Sequence, residues 1–251
     1  MANQISLRAD EPTLNSAMKG CDAMFPTLAD TLGSSVPGGQ GPALKMIERC
    51  AAGTGHVNAG MARDKAIAAP GTPDEVTEIK AELAMKLLLI AGRELSGKTL
   101  GIVGYGRIGR ETARRAHLGF GMKIVVHNRS VVPEDDLDQL SAEQVDDIDH
   151  LLGQSDFVSL HCRANADNHH LIDALRLNKM KPDGYLINIA GSELVDEEAL
   201  ADALWYGTIA GAGLDATPSM CDRIRGCENV VLLPCTGSRS QQARAAMSAP
   251  S

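Results

Sequence analysis

The feature that most constrains this chain is a regular alternation in its second half, where short apolar runs are separated by segments of helical pattern. The runs are Leu100–Val103, Lys123–His127, Phe157–Leu160, Tyr185–Ile189, Ile209–Leu214 and Val230–Leu233. Between them lie Arg107–His117, Val145–Gln154, His169–Met180 and Asp196–Trp205. Strands that alternate with helices are joined by crossovers rather than hairpins, which gives a mostly parallel sheet covered on both faces. Several runs are almost continuously apolar, as strands buried on both sides are. The expected fold class is therefore α/β, with a doubly wound parallel sheet.

The first strand-to-helix junction carries the most specific signal. Leu100–Val103 runs into Gly104-Tyr105-Gly106-Arg107-Ile108-Gly109, and a helical segment follows at once. A G-x-G-x-x-G alone is weak, but here it stands between a strand and a helix, the setting that a dinucleotide site requires. Gly104 permits the tight turn, Gly106 lets a pyrophosphate approach the backbone, and Gly109 lets the helix pack close to the strand. The helix N-terminus, at Arg107 and Ile108, offers N–H groups and a partial positive charge to phosphates. After the second strand comes Asn128-Arg129-Ser130, where NAD-specific proteins place an acid for the ribose hydroxyl. An acid would repel a 2′-phosphate, whereas Arg129 would form charge-assisted bonds with one. NADP is thus expected ahead of NAD.

Composition narrows the alternatives. With 251 residues the chain can hold two domains, and 44% hydrophobic with 22% charged residues is ordinary for a globular protein. A net charge of -8 argues against a general nucleic-acid surface and against an anionic membrane. No apolar run is long enough to span a bilayer, and the N-terminal segment lacks a secretory pattern. The six cysteines form no C-x-x-C pair, so reduced thiols and a cytoplasmic location are expected, with no metal site. The first part of the chain is less regular. Ile5–Leu7, Asp22–Phe25, Leu44–Ile47 and Ala66–Ala69 are short strand candidates. A helix is expected from Pro73-Asp74-Glu75 to about Ile90, with Leu83, Leu87 and Ile90 on one face. The domain boundary is placed near residue 92, giving 1–91, 92–238 and a short segment 239–251.

Several further segments occur in one order: GKTLGIVGYGRIGRE, SDFVSLHC, HHLID, MKPDGYLINIA, ELVDEEALADAL, GTIAGAGLD and NVVLLP. Together they resemble the D-isomer-specific 2-hydroxyacid dehydrogenases, especially the glyoxylate/hydroxypyruvate reductase branch. The resemblance is dense from Gly97 to Ser238 and looser from about Leu14 to Leu89. It implies a Rossmann-type NAD(P)-binding domain beside a flavodoxin-like substrate domain, here reduced. It also implies hydride transfer between a nicotinamide and a small 2-keto or 2-hydroxy acid, and a homodimer. By position it adds His161, Cys162, Ile189, Ala190, Asp215 and Gly237 to the cofactor-binding candidates. Asp215 is the candidate partner of the nicotinamide carboxamide, the alternative being a cap of the following loop. Gly53-Thr54-Gly55 corresponds to a loop that offers N–H groups to the substrate carboxylate; an ordinary turn is the alternative.

The catalytic positions depart from the family. An arginine there binds the substrate carboxylate, a histidine exchanges the proton and a glutamate pairs with the histidine. The family's N-x-A-R-G reads Asn188-Ile189-Ala190-Gly191-Ser192, so Gly191 stands at the arginine position. Its P-H-x-G-S reads Pro234-Cys235-Thr236-Gly237-Ser238, so Cys235 stands at the histidine position. The acidic piece after Gly213-Leu214-Asp215 has no counterpart, and Asn58 replaces an expected aspartate. The helical arm that makes family dimer contacts is also missing between Ile90 and Gly97, which argues against the family dimer here. No catalytic residue is assigned. Three readings follow: an impaired oxidoreductase, a non-catalytic dinucleotide-binding or regulatory module, and a degraded or shortened family copy.

Overall fold

The structure is a computed structural model that describes residues 23–24, 46–47, 74–216 and 220–234. The chain divides into two compact units, Met1–Val76 with Gln241–Ser251, and Thr77–Ser240. In the first unit, β1 (Ala23–Met24) pairs in parallel with β2 (Met46–Ile47), inside two of the expected strands. The candidates Ile5–Leu7 and Ala66–Ala69 lie outside the described residues.

Helix α1 (Asp74–Ile90) begins at the cut between the units, and from Thr77 onward it belongs to the second. There follow β3 (Thr99–Val103), α2 (Arg107–Phe120), β4 (Lys123–His127), α3 (Glu134–Asp138), β5 (Glu143–Gln144), α4 (Ile148–Gln154) and β6 (Phe157–Leu160). The remainder is α5 (Ala174–Leu177), β7 (Tyr185–Asn188), α6 (Glu197–Trp205), β8 (Gly211–Ala216), α7 (Asp222–Arg225) and β9 (Val230–Pro234). All seven strands of this unit are parallel, in the order β5-β4-β3-β6-β7-β8-β9. The α/β class and the doubly wound sheet are as the alternation predicts.

The period of two along each strand sorts side chains onto two cores. Leu100, Ile102, Ile124, Val126 and Ile187 join Leu83, Leu87 and Leu88 of α1 and Ala113 and Ala116 of α2. Val103, Val125, Val158, Leu160 and Leu186 join Leu151 and Leu152 of α4 and Leu200 and Leu204 of α6 on the other face. Each fully buried Leu, Ile or Phe contributes roughly 1.5–3 kcal/mol, so the two faces supply most of the driving force. Helix α1 lies directly on β8: a Cβ at Gly213 would sit 3.0 Å from Leu87 Cβ.

Four local expectations need correction. Helix α4 starts at Ile148 rather than Val145, because Asp147 caps it by accepting from Asp149 N, while Glu143–Gln144 pairs with β4 as a seventh strand. The expected helix His169–Met180 shrinks to Ala174–Leu177. Asn165 caps a separate 3-10 turn at Ala166–Asn168, and His170 takes a left-handed φ of 52°, so the backbone turns where a helix would have to continue. The strand expected at Ile209–Leu214 runs Gly211–Ala216, with Ile209 buried ahead of it. In α1, Leu83 and Leu87 are buried but Ile90 is 54% exposed, because the inward face is set by Ala81, Ala84 and Leu88 as well. That face packs into the Leu100 core.

Candidate functional site

The strands of the large sheet end level with one another. Val103 lies across from His127 and Leu160, Leu160 across from Asn188, and Asn188 across from Leu214. The next residues on these strands are Gly104, Asn128, His161, Ile189 and Asp215. Five candidates taken from scattered motifs therefore share one carboxyl edge. The chain leaves the β3–β6 pair in opposite directions, toward β5 and toward β9. Such a switch point is where open α/β sheets carry ligands.

The glycine turn is explained residue by residue. Gly104 has a φ of 95°, and a Cβ there would lie 2.5 Å from the Cys162 amide nitrogen. It is required by the turn and by the neighbouring strand end. At Gly109 a Cβ would strike the Gly104 carbonyl oxygen and lie 3.2 Å from Ile102 Cγ2, so the close helix–strand approach needs it. Gly106 differs: a Cβ would meet nothing within 4 Å. The protein itself does not require a glycine there, and the open space lies at the start of α2. That helix has Gly106 as its N-cap, no side-chain cap and no acid in its first turn. By contrast α4, α5 and α6 are each capped by their own aspartate, Asp147, Asp173 and Asp196. The N-terminus of α2, with exposed Arg107 and half-buried Ile108, therefore combines open space with a positive backbone field, the arrangement suited to a phosphate.

Beside it, Asn128 Oδ1 accepts from the Tyr105 amide at 3.1 Å, and its Nδ2 donates to Ser130 O and Oγ at 3.0 and 3.1 Å. Gln144 of β5 adds a donor to Ser130 O at 3.1 Å and accepts from Val132 N at 2.8 Å. Asn128 and Ser130 thus fasten the loop to the turn. Arg129 is exposed and has no ion-pair partner among the described residues. Sequence reading missed Gln144 because two polar residues give no strand signal.

At the end of β6, His161 Nε2 lies 2.9 Å from Ser159 Oγ, while Nδ1 is buried without a hydrogen-bond partner. Burial, with the charge of Lys80 as a lesser cause, pushes its pKa down to about 3, so the ring stays neutral. The Cys162 thiol is pushed up by burial and is no thiolate.

At the end of β7, Asn188 Oδ1 accepts from Ala190 N and Gly191 N at 3.0 and 3.3 Å, and Nδ2 donates to Gly191 O at 2.7 Å. These bonds close a small loop that carries the Ile189 carbonyl. That carbonyl accepts from Lys80 Nζ of α1 at 2.7 Å, and the same Nζ lies 3.7 Å from Asp215 Oδ2. Lys80 was not singled out from sequence, yet a signal existed: it shares a helical face with Leu83, Ala84 and Leu87, all buried. A charge on an apolar stripe needs a partner, and β8 supplies one. Gly237 and Cys235, like Gly53, Thr54, Gly55 and Asn58, lie outside the described residues. Among the described residues, no group of three His, Cys, Asp or Glu side chains could hold a metal, and no helix is long and apolar enough to cross a membrane.

Comparison with known proteins bears on this edge. Residues 75–237 match the model of the D-isomer specific 2-hydroxyacid dehydrogenase NAD binding domain. A glyoxylate reductase of Thermococcus litoralis is 37% identical over 238 residues, which span 82% of this chain and 71% of that one. A crystal structure from Thermus thermophilus superposes with a TM-score of 0.84 at 32% identity, over 96% of this chain and 84% of the other. The NADPH-dependent glyoxylate/hydroxypyruvate reductase of Sinorhizobium meliloti, solved with NADP and malonate, gives 0.83 at 27% identity over 95% and 81%. The match covers the whole edge from Gly104 to Asp215, and the chain belongs to the D-isomer-specific 2-hydroxyacid dehydrogenase family.

Proposed function

We propose that the carboxyl edge of the large sheet binds a nicotinamide dinucleotide, NADP in preference to NAD, and that the chain is a strongly impaired member of its oxidoreductase class. The supporting observation is the N-terminus of α2 behind Gly106, where a Cβ would meet nothing within 4 Å and the helix has neither a side-chain cap nor an acid in its own first turn. The Gly106, Arg107, Ile108 and Gly109 segment would hold the pyrophosphate, with Arg129 and Ser130 reaching a 2′-phosphate. His161, Cys162, Ile189, Ala190, Asp215 and Gly237 would line the path to the nicotinamide. When bound, the cofactor supplies a hydride donor or acceptor for a small 2-keto or 2-hydroxy acid, such as glyoxylate or hydroxypyruvate.

This chain's own residues equip the acid's end poorly. Gly191 offers no guanidinium to a carboxylate, and Cys235 is a weak proton donor where an imidazole stands in the family. Loss of a general acid/base costs about 10²–10⁴-fold, and loss of the carboxylate fork adds a positioning penalty. The two losses are not additive, because the groups act as a unit. Gly191 also favours the second reading, a non-catalytic dinucleotide-binding module. A single titration separates them: NADPH and NADH are added and followed by fluorescence quenching, then glyoxylate is added and cofactor oxidation recorded. Binding with slow oxidation supports the impaired enzyme. Binding with no oxidation leaves the module, and binding of neither dinucleotide removes both. Dimerisation and a cytoplasmic site of action are part of the family reading, and size-exclusion chromatography with light scattering tests the first.

A further inference from the structure

The far end of the edge presents two acceptors close together, the Ile189 carbonyl and the Asp215 carboxylate. A carboxamide, with two N–H bonds on one nitrogen, is the neutral group that such a pair suits. In this structure one Nζ already serves both, at 2.7 Å from Ile189 O and 3.7 Å from Asp215 Oδ2. We propose that Lys80 is a built-in competitor for the nicotinamide carboxamide, so that the site takes the adenosine-diphosphate half of the cofactor and is closed to the nicotinamide half until Lys80 swings away. The inference rests on the dinucleotide reading above and concerns only one end of that site.

The competition is unequal. The Lys80 ammonium donates a charge-assisted hydrogen bond to Ile189 O at 2.7 Å, roughly twice as strong as a neutral one, and forms an ion pair with Asp215 at 3.7 Å; a carboxamide has no charge to replace either. Asp215 is 11% exposed and Lys80 20%, so water screens the pair less than it would at the surface. The backbone of Lys80 cannot retreat, because Ala81, Ala84 and Leu87 beside it are fully buried against the sheet. Only the side chain can move, and moving it withdraws the ammonium from Asp215. The lysine also stands near the neutral imidazole of His161, whose low proton affinity leaves that wall of the site uncharged. The contacts of Lys80 are with Ile189 and Asp215, at the other end of the edge from the Gly106 turn.

Isothermal titration of the full chain with NADPH and with 2′-phospho-adenosine diphosphate ribose, which lacks the nicotinamide, tests this. The intact protein should bind the two within about threefold of each other, because the nicotinamide adds little. Lys80→Met keeps the length of the stem and carries no charge. It should tighten NADPH about tenfold, the worth of one charge-assisted bond, and leave the fragment unchanged. Fragment binding doubles as a check that the nucleotide unit is folded. Lys80→Gln, which keeps a donor for Ile189 O without the charge, should fall between the two and serves if the methionine variant does not fold. Weaker NADPH binding in either variant would make Lys80 a ligand of the cofactor rather than its competitor. An equal change for both ligands, or none, would also overturn the proposal. If neither ligand binds the intact protein, the dinucleotide reading falls and this one with it.

Discussion

The two ends of the carboxyl edge are built on the same strand register but by opposite means. At the Gly104–Gly109 end the protein withholds side chains: a Cβ at Gly106 would meet nothing within 4 Å, and α2 begins with no acid in its first turn. At the Ile189–Asp215 end a side chain from a separate helix fills the acceptors, with Lys80 Nζ 2.7 Å from Ile189 O. An open backbone site is written in a few consecutive residues. A filled one depends on where a distant helix docks. The difference makes the ends separable by mutation, and the sharpest cuts fall within the glycine turn itself.

Gly104→Ala should cost the most. Its φ of 95° is unfavourable for any side chain, and the new Cβ would lie 2.5 Å from the Cys162 nitrogen. Left-handed strain and overpacking together predict a loss of about 3 kcal/mol, read by urea unfolding. Gly106→Ala is its counterpart: less than about 1 kcal/mol of stability, since alanine is only a poorer N-cap, but dinucleotide affinity lower by about tenfold. If the two variants lose stability equally, Gly106 is structural and the open end has been misread.

The second test uses pH and reaches the boundary between the ends. His161 is neutral in the folded protein, with its pKa pushed down to about 3 by burial first and Lys80 second. In the unfolded chain it titrates near about 6.5. Between those values the unfolded state takes up a proton that the folded state refuses. The stability contributed by His161 is therefore full above about pH 6.5 and falls by about 1.4 kcal/mol per unit as the pH drops toward 3. His161→Gln should flatten that part of the profile in chemical denaturation at pH 4 to 7. An unchanged slope would mean that water reaches the imidazole.

What was legible in the sequence follows the same divide. Strands β3, β4, β6 and β7 are continuous or nearly continuous in burial, so their apolar runs located them to within a residue or so. The Gly104 to Gly109 roles were legible because each rests on contacts between near neighbours or adjacent strands. Strand β5 was not, because Glu143 and Gln144 pair through backbone alone at the sheet margin. The helix expected over His169–Met180 failed because Asn165 and Asp173 divert the backbone into separate caps, local chemistry that the apolar pattern does not register. Lys80 was missed for a different reason. Its helix was read for its apolar positions, and the partner of its charge lies on a strand more than a hundred residues later.

Arg129 tests the cofactor preference and acts on the open end alone. It is exposed, while Asn128 and Ser130 are tied into the loop. Arg129→Asp should weaken NADPH about tenfold and change NADH by less than about twofold, with thermal stability unaffected. Equal weakening of both would place the guanidinium near the pyrophosphate instead of the 2′-phosphate.

The smallest effect is expected at Gly191, the position that the resemblance aligns with the family's carboxylate-binding arginine. Its φ of 167° is ordinary extended backbone, open to any residue. A Cβ would lie 2.8 Å from Glu193 Oε2, the far end of a flexible and exposed side chain that can turn aside. The loop is held by Asn188, whose bonds go to backbone atoms and do not depend on the side chain at 191. Gly191→Arg should therefore change stability by no more than about 0.5 kcal/mol in a thermal melt. A fall of several degrees would mean that the β7 loop has come to depend on the glycine. If the melt is unchanged, Gly191→Arg with Cys235→His becomes an informative pair for glyoxylate reduction. The arginine then restores a carboxylate fork on an unaltered scaffold, and its benefit should grow when Lys80→Met is added, because a nicotinamide excluded by Lys80 cannot use either restored group.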